Sequence, residues 1–414
     1  MSSSHDRHPA LIRILLDWTD SNEFPWAFPL PPWAPERVRR LRRLRVLARR
    51  RLRDQLIARQ GWPRTFVQAL VWPVIAGIKS LQSFRYYPAS RDSKASFTEL
   101  TARWWLQVAH NLRISDQSDQ FLHLPTHRYR PAAFITCREH QALLGVARLH
   151  AHGFAHIDLK NPFAGFCAEY DLPTPVALLT GQGRSLRFSR PLPPSDLLLK
   201  PAAAEKGRGI EVLARSAGGW LGSDGRLLSE PDLPAYIVGR LGSNEEWIIQ
   251  ERLQNASSWS SLTAGALATV RVVTARRQPS GSPEVLLAFL RSPRSGSVVD
   301  NLSAGGLGVP LDLPTGELGL GRDWVRVHDS HDHHPDTGAL LAGVILPGWP
   351  EIRALALRAH ACAGNWFSIG WDIALTTRGP VLIEANLAWA MTSFTPLIDT
   401  AYIEIMESLF SPDR

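Results

Sequence analysis

Residues 370–389, GWDIALTTRGPVLIEANLAW, carry the strongest structural signal in the chain. Two apolar runs, WDIALT and PVLIEAN, flank the polar turn TRG, which predicts two strands joined by a three-residue loop with glycine in the left-handed conformation. A loop centred on Arg378 places Asp372 opposite Glu384, because the two residues are equally far from that centre. Opposed residues share one face of a sheet, and Asn386, two residues beyond Glu384, points the same way.

Two carboxylates and a carboxamide on one face form an oxygen-only set of ligands, the kind that suits Mg²⁺ carrying phosphates. The pattern therefore predicts a magnesium site made by Asp372, Glu384 and Asn386. The alternative is an ordinary hairpin with three solvated polar residues, and the rest of the chain favours the metal site.

The composition is that of a globular protein. The chain has 414 residues, of which 44% are hydrophobic and 20% charged, and its length predicts two or three domains. Cys137, Cys167 and Cys362 are too far apart for a zinc site or a disulfide framework, which favours a reducing compartment. No secretory signal is visible in residues 1–20, so we expect a cytoplasmic protein, with the inner face of the membrane as a further possibility.

The net charge of +8 comes from one stretch of the chain. Residues 37–64 hold twelve arginines and one acid, Asp54, so this stretch carries +11 while all other residues sum to −3. The excess charge therefore indicates a partner for this stretch and not for the whole protein.

The N-terminal part reads as mainly helical. Residues 1–35 are rich in Trp and Pro and predict an irregular arm, whereas residues 36–60 show helical spacing of their apolar side chains. Residues 65–78 contain no charge, but a span across a bilayer needs about 20 apolar residues. Two interpretations stay open: a helical subdomain packed on the catalytic domain, or a peripheral contact with an anionic membrane through residues 36–80. We expect no nucleic acid, because no stacking-aromatic module accompanies the arginines.

From about residue 158 onward the pattern is α+β. Short β-type runs alternate with glycine-rich turns, and residues 350–364 form one clear helix. Such a pattern is typical of antiparallel sheets with few helices.

Lys200 ends an apolar run and precedes a loop of small residues. The loop holds Lys206, Gly207, Arg208 and Gly209, so that a point charge and backbone N–H groups could face a polyphosphate. A plain hairpin loop is the alternative. The P-loop sequence G-x-x-x-x-G-K-[ST] is absent.

Two later strands carry further candidates. In IIQERL, backbone groups near Gln250 and Glu251, with Leu253 behind them, can contact an adenine edge, while the carboxylate reaches an amine or a ribose. In TVRVVT, Arg271 lies between Val270 and Val272, which face the other side. An arginine there either pairs with an acid or holds a transferring phosphoryl group.

Two loops complete the set of candidates. The loop with Asn301, Ser303, Gly305 and Gly306 is read either as a substrate loop or as a hairpin loop, since adjacent glycines allow a close backbone approach. The histidines of residues 328–338 show no ligand spacing on a helix or strand, so we expect a solvated loop there and no metal site.

This ordered series resembles the ATP-grasp superfamily, and within it the sugar-transfer-associated branch near the glutamate-ligase-like members. The resemblance covers roughly residues 155–400 and is specific as a set, but residues 1–150 depart from it, since many relatives carry an α/β domain there. The motifs that carry the resemblance are DLKNPFAGFCAEYDLPTPVAL, LLLKP with GRGI, IIQERL, TVRVVT, DNLSAGGLGVPLD, HPDTG with PGWPE, and DIALTTRGPVLIEANLAWAM.

The resemblance implies a role for each matching residue. The nucleotide phosphates are held by two lysines and a flexible loop, the adenine by a hinge segment, the γ-phosphate or acyl-phosphate by an arginine, and Mg²⁺ by three oxygen ligands. The two lysines are Lys160 and Lys200, and the flexible loop holds Lys206 with Gly207–Gly209. The hinge segment holds Gln250, Glu251 and Leu253. The arginine is Arg271, and the Mg²⁺ ligands are Asp372, Glu384 and Asn386.

The resemblance also implies a fold and an activity. The expected fold is α+β ATP-grasp, with a helical region at 1–150, a central subdomain at 151–255 and a C-terminal subdomain with the magnesium site at 256–410. The expected reaction is ADP-forming ligation of a small-molecule carboxylate to an amine or thiol through an acyl-phosphate, with ATP and Mg²⁺, in cell-surface polysaccharide or amino-acid conjugate biosynthesis. The alternatives are a kinase acting on a hydroxyl and a membrane-associated nucleotide-binding scaffold.

Overall fold

The structure is a computed structural model. It describes residues 36–86, 137–149, 153–182, 185–188, 191–201, 209–241, 246–278, 280–296, 305–323, 330–389 and 400–408. The chain divides into two compact units, one made of residues 1–150 with 390–414 and the other of residues 151–389.

The described residues form seven α-helices and fourteen β-strands. The helices are α1 (Glu36–Gln60), α2 (Trp62–Tyr86), α3 (Cys137–Leu149), α4 (Lys160–Glu169), α5 (Leu233–Leu241), α6 (Trp349–Cys362) and α7 (Thr400–Ser408). The strands are β1 (Ala177–Gln182), β2 (Ser185–Phe188), β3 (Leu197–Pro201), β4 (Glu211–Ser216), β5 (Gly219–Leu221), β6 (Leu227–Leu228), β7 (Glu246–Glu251), β8 (Thr269–Ala275), β9 (Glu284–Ser292), β10 (Leu307–Pro310), β11 (Gly321–Asp323), β12 (Ser330–His331), β13 (Ser368–Thr376) and β14 (Gly379–Asn386).

The first unit is helical in its described part, and some of its arginines serve the packing of its helices. Arg45 and Arg49 of α1 are buried against the buried carboxylate of Glu139 on α3, with Arg49 Nε 2.7 Å from Glu139 Oε1. His140 Nδ1 lies 2.7 Å from the Tyr402 hydroxyl of α7. The basic stretch is therefore not one continuous surface that faces a partner. The predicted arm at residues 1–35 lies outside the described residues.

The second unit contains two antiparallel sheets. The first sheet has the order β2-β1-β7-β3-β4-β5-β6 and the second has the order β12-β11-β10-β9-β8-β13-β14. These sheets and the helices of the first unit confirm the predicted α+β class with a mainly helical N-terminal region.

Alternation along β3 directs Lys200 away from the core of the first sheet. Leu197 and Leu199 are 0% and 1% exposed and belong to that core. Because successive side chains of a strand point to opposite faces, Leu198 and Lys200 lie on the other face.

The second sheet is the larger core, and β13 is buried along its whole length. Trp371 and Ile373 of β13 join Val270 and Val272 of β8 in one apolar cluster. Helix α6 packs on this sheet, with Ile352 and Leu355 in the same cluster. Asp372, between Trp371 and Ile373, therefore points to the opposite face of the sheet.

Helix α4 also packs on the second sheet, although it precedes the first sheet in the chain. Phe163 and Phe166 belong to the core cluster of the second sheet, and the Phe166 ring stacks on Trp371 at a centroid distance of 6.5 Å. Lys160, the first residue of α4, is thus positioned by the second sheet, whereas Lys200 is positioned by the first.

No helix in the described part of the chain has both the length and the apolar character needed to cross a bilayer.

Candidate active site

The hairpin β13–β14 brings Asp372 and Glu384 face to face, as the sequence predicts. Gly379 has the left-handed φ of +95° expected for the end of a three-residue loop. The pairing nearer the turn differs from the prediction, because Thr376 pairs with Gly379. Ile383 then forms a bulge, which shifts the pairing by one residue. The bulge is what puts Glu384 opposite Asp372.

Two arginines hold Asp372, of which the sequence identified one. Arg271 lies opposite Asp372 on β8 and donates to both carboxylate oxygens, with Nη2 2.9 Å from Oδ2. Arg291 of β9 donates to Oδ2 as well. The register of β8 with β9 sets Arg291 opposite Thr269, two residues from Arg271 on the same face. Only that register reveals Arg291, since its local sequence, AFLRS, carries no motif.

The two carboxyls differ in acidity because their neighbours differ. Burial works against ionisation of Asp372, but Arg271 and Arg291 outweigh it and hold the pKa of Asp372 well below its usual range. Burial, the Asp372 charge and a hydrogen bond with Asp372 raise the pKa of Glu384 to about 7. Protein atoms crowd the carboxyl group of Glu384 although the side chain keeps 48% exposure, and its Oε1 lies 3.9 Å from Arg271 Nη2.

Asn386 completes the predicted set of oxygen ligands. Its Nδ2 donates to Glu384 Oε1 at 3.2 Å and lies 3.5 Å from the carbonyl oxygen of Gly370. Gly370 has no room for a side chain, since an added Cβ would lie 2.8 Å from Trp389 Cβ. The three predicted ligands, Asp372, Glu384 and Asn386, therefore lie next to one another on one face of the second sheet.

Lys160 and Lys200 lie near Glu384 from two different elements. Burial, together with the Lys160 charge, lowers the pKa of Lys200 to about 8, and Glu384 opposes both effects. Burial likewise lowers the pKa of Lys160, again opposed by Glu384. Lys160 Nζ donates to the carbonyl oxygen of Pro201, at the end of β3. The structure thus brings two ammonium groups and two carboxylates into one electrostatic cluster.

The predicted adenine segment lies at the end of β7. Gln250 is 8% exposed, and its Nε2 donates to the carbonyl oxygen of Pro175 at 3.2 Å. Glu251 accepts from Ser195 Oγ at 3.3 Å and pairs with Arg378 Nη1 at 3.2 Å. A cleft of about 240 Å³ opens here, and the residues that line it are Ser195, Asp196, Glu251, Arg252, Leu253, Gln254, Thr376, Thr377 and Arg378.

Several predicted loop residues fall outside the described part of the chain: Lys206 and Gly207 of the phosphate loop, and Asn301 and Ser303 of the substrate loop. Among the described ones, Gly209 has φ +71° and Gly305 has φ +97°. Gly306 is buried directly before β10.

Most of the described histidine loop is exposed, as the sequence predicts, but His334 is not. His334 is 0% exposed, and its Nε2 lies 3.3 Å from the carbonyl oxygen of Pro293. Arg294 pairs with Asp336 at 2.8 Å and so ties the loop to the end of β9. Among the residues that the structure describes, no three His, Cys, Asp or Glu side chains are grouped to hold a metal.

A family model, sugar-transfer associated ATP-grasp, matches residues 154–399. No curated protein matches the chain.

Similar solved structures include the VanG D-Ala:D-Ser ligase of Enterococcus faecalis, which is 12% identical with a TM-score of 0.35 over 62% of this chain and 61% of that one. A D-alanine–D-alanine ligase of Bacillus anthracis complexed with ATP is 10% identical, with a TM-score of 0.33 over 61% and 63% of the two chains. The chain spans about six tenths of the length of these enzymes. Likenesses this remote carry no conclusion about activity.

Proposed function

The chain belongs to the sugar-transfer associated ATP-grasp family, and we propose that it is an ADP-forming ligase. It would join a small-molecule carboxylate to an amine or a thiol through an acyl-phosphate, in the biosynthesis of a cell-surface polysaccharide or an amino-acid conjugate. Membership of the family implies that the chain binds ATP. The observation that carries the proposal is the cluster around Glu384. Asp372 and Asn386 lie beside it on the hairpin, and its charge acts on both Lys160 and Lys200.

The residues of the hairpin fit a magnesium ion. Asp372, Glu384 and Asn386 offer carboxylate and amide oxygens, the ligands that Mg²⁺ prefers. Asp372 accepts from two arginines, but a carboxylate has about four lone-pair positions, so acceptor capacity is left for a cation. The raised pKa of Glu384 fits as well, because a cation would relieve the repulsion by Asp372. When bound, Mg²⁺ would neutralise phosphate charge.

The chain's own cations support a role in phosphoryl transfer. Lys160, Lys200, Arg271 and Arg291 would hold the phosphates in line with the attacking carboxylate and offset the negative charge of the transferring group. In the first step the substrate carboxylate attacks the γ-phosphorus and ADP leaves. In the second step the amine or thiol attacks the acyl carbon and releases a proton to solvent, and inorganic phosphate leaves with the bonding electron pair.

The remaining predicted roles are part of the proposal. Backbone groups near Gln250, Glu251 and Leu253 would contact the adenine. The loop with Lys206, Gly207 and Gly209 would cover the phosphates. The loop with Asn301, Ser303, Gly305 and Gly306 would face the substrate carboxylate.

The proposal is tested by ADP release from the purified chain with Mg²⁺, screened over amino acids and sugar acids. We expect Glu384→Gln to lower the rate by at least about 10²–10³-fold, the usual effect of removing one electrostatic contact with the reacting group. Glu351→Gln, an exposed glutamate in the first turn of α6, is the matched control and should keep the wild-type rate. Undiminished ADP release by Glu384→Gln would refute the magnesium assignment.

Hydroxylamine distinguishes ligation from transfer to a hydroxyl. An acyl-phosphate reacts with hydroxylamine to give a hydroxamate and phosphate, whereas a phosphorylated alcohol does not. We expect hydroxamate in amounts that match the ADP released. ADP without hydroxamate, together with a stable phosphorylated product, would identify a kinase instead.

A further inference from the structure

Helix α2 turns polar side chains inward. Thr65 is 0% exposed and Gln68 is 4% exposed, and both accept from Gln60 Nε2, at 3.2 Å and 2.7 Å. Thr65 Oγ1 also donates to the carbonyl oxygen of Gly61 at 2.9 Å. Of the described large apolar side chains of α2, only Trp72 is buried on this side, at 1% exposure.

The outward side of α2 is apolar, and we call these residues the apolar face. They are Trp62 at 51% exposure, Phe66 at 49%, Val67 at 42%, Leu70 at 65% and Val74 at 60%. At about 100° per residue they cover an arc of about 140°, and between Trp62 and Val74 this arc contains no charged residue. A helix that packs against its own protein and faces water has the reverse arrangement. An exposed apolar patch of this kind indicates a surface that binds something.

Positive charge lies at one end of the apolar face. Arg59, at the end of α1, and Arg64, in the first turn of α2, are exposed next to the start of the apolar face. Trp62 and Phe66 form an aromatic pair there, with ring centroids 6.3 Å apart.

We infer that the apolar face of α2 and the exposed arginines beside it bind the surface of an anionic lipid bilayer, with α2 lying in the plane of the membrane. Apolar side chains would enter the boundary between headgroups and acyl chains, the aromatic pair would lie at headgroup level, and the arginines would contact lipid phosphates. No described helix can cross the bilayer, which agrees with a helix that lies on it.

A second copy of the chain fits this surface less well. The described face is about 20 Å long and about 10 Å wide, so it offers about 200 Å², whereas a stable dimer needs about 800 Å² from each partner. With parallel helices, a two-fold contact would also bring Arg59 and Arg64 of one copy close to those of the other, and like charges at an interface oppose binding. With antiparallel helices, the apolar face would offer these arginines no partner, since residues 62–74 contain no acid. An anionic surface has the opposite charge.

The test is co-flotation of the full-length chain with vesicles of phosphatidylcholine, with and without phosphatidylglycerol. Leu70→Gln changes the most exposed residue of the apolar face, and we expect about tenfold weaker partitioning because burial of one leucine side chain is lost. Ile345→Gln is the matched control, because Ile345 is also 65% exposed but belongs to the second unit. It should float like the wild type.

The charge requirement is tested by Arg59→Gln combined with Arg64→Gln. We expect partitioning onto the anionic vesicles to fall by about tenfold or more, and added salt to weaken binding of the wild type. Circular dichroism and ADP release should stay at wild-type values in all variants, which shows that the fold is intact.

Three results would overturn the inference. The first is a wild-type chain that does not float with anionic vesicles. The second is Leu70→Gln floating as well as Ile345→Gln. The third is a wild-type chain that sediments as a dimer without lipid while Leu70→Gln is a monomer, which would assign the apolar face to a second copy.

Discussion

Asp372 and Glu384 oppose each other on one hairpin, but their neighbours act on them in opposite directions. Asp372 is 3% exposed and bonded to Arg271 and Arg291, which hold its pKa down. Glu384 is more exposed, and the Asp372 charge helps to raise its pKa. Asp372 therefore stabilises the two arginines, whereas the charge of Glu384 is unfavourable without a cation.

This difference predicts opposite effects on stability. Asp372→Ala leaves two largely buried guanidinium groups without their carboxylate, so we expect a loss of about 3–5 kcal/mol in the free energy of unfolding. Glu384→Gln removes a charge that is repelled by Asp372, so well above pH 7 we expect it to be neutral or slightly stabilising. Calorimetry without Mg²⁺ measures both. Equal destabilisation by the two substitutions would contradict this account of the site.

Single residues were predicted from the sequence only where a motif marked them. Asp372, Glu384 and Asn386 follow from spacing on one hairpin, and Arg271 from the apolar strand around it. Arg291 could not be found in this way, because its position depends on the pairing of β8 with β9. The burial of His334 was missed for a similar reason, since its contact with Pro293 joins segments 41 residues apart.

At the scale of elements, the hairpin β13–β14 depends on a tight turn. The predicted opposition of Asp372 and Glu384 is confirmed, but the bulge at Ile383 that produces it could not be predicted from alternation, which assumes regular pairing. Gly379 ends the loop with φ +95°.

Gly379→Ala should destabilise the hairpin. An added Cβ meets nothing within 4 Å, so the cost is backbone strain alone, about 1–2 kcal/mol in the free energy of unfolding. Gly239→Ala is the control, because Gly239 lies in α5, where an added Cβ also meets nothing within 4 Å, and alanine should stabilise the helix by up to about 1 kcal/mol. Equilibrium denaturation compares the two. A Gly379→Ala protein as stable as the wild type would show that the turn does not need glycine.

Helix α6 makes stability depend on pH through His360. Burial lowers the pKa of His360 to about 4 from its ordinary 6.5, although the carbonyl oxygen of Trp366 opposes the shift. Between these values the unfolded chain takes up a proton that the folded chain does not. Stability should therefore fall as the pH falls from 6.5 towards 4, by on the order of 3 kcal/mol from this group.

The dependence is measured as the unfolding midpoint of the wild type and of His360→Gln across that pH range. In the variant, the unfolding midpoint should fall less steeply as the pH falls, because the His360 contribution is lost. Its stability can also be lower at every pH, because the bond with Thr274 changes. Glu384 acts in the opposite sense, since its raised pKa favours the folded state as the pH falls, but it is present in both proteins. Parallel curves would contradict the proposed role of His360.

In the whole molecule, the candidate site is formed by residues from both sheets of the second unit. Lys200 is fixed by the first sheet, and Asp372 and Glu384 by the second. Lys160 precedes both sheets in sequence, yet its helix α4 belongs to the core of the second. The roles of the two lysines were predicted through the resemblance to a family. The packing of α4 on the second sheet was not predicted, because amphipathic spacing does not tell which sheet a helix covers. The predicted boundary between the central and C-terminal subdomains, at residues 255 and 256, stays a proposal.

We propose that Lys200 and Glu384, from different sheets, belong to one site for Mg²⁺ and ATP. Calorimetric titration of ATP in saturating Mg²⁺ tests it directly, on the wild type, Lys200→Met, Glu384→Gln and the control Glu351→Gln. We predict that the wild type and the control bind one ATP per chain, and that both site variants bind at least about tenfold more weakly. Unchanged affinity in Lys200→Met and Glu384→Gln would show that the two sheets do not form a common nucleotide site.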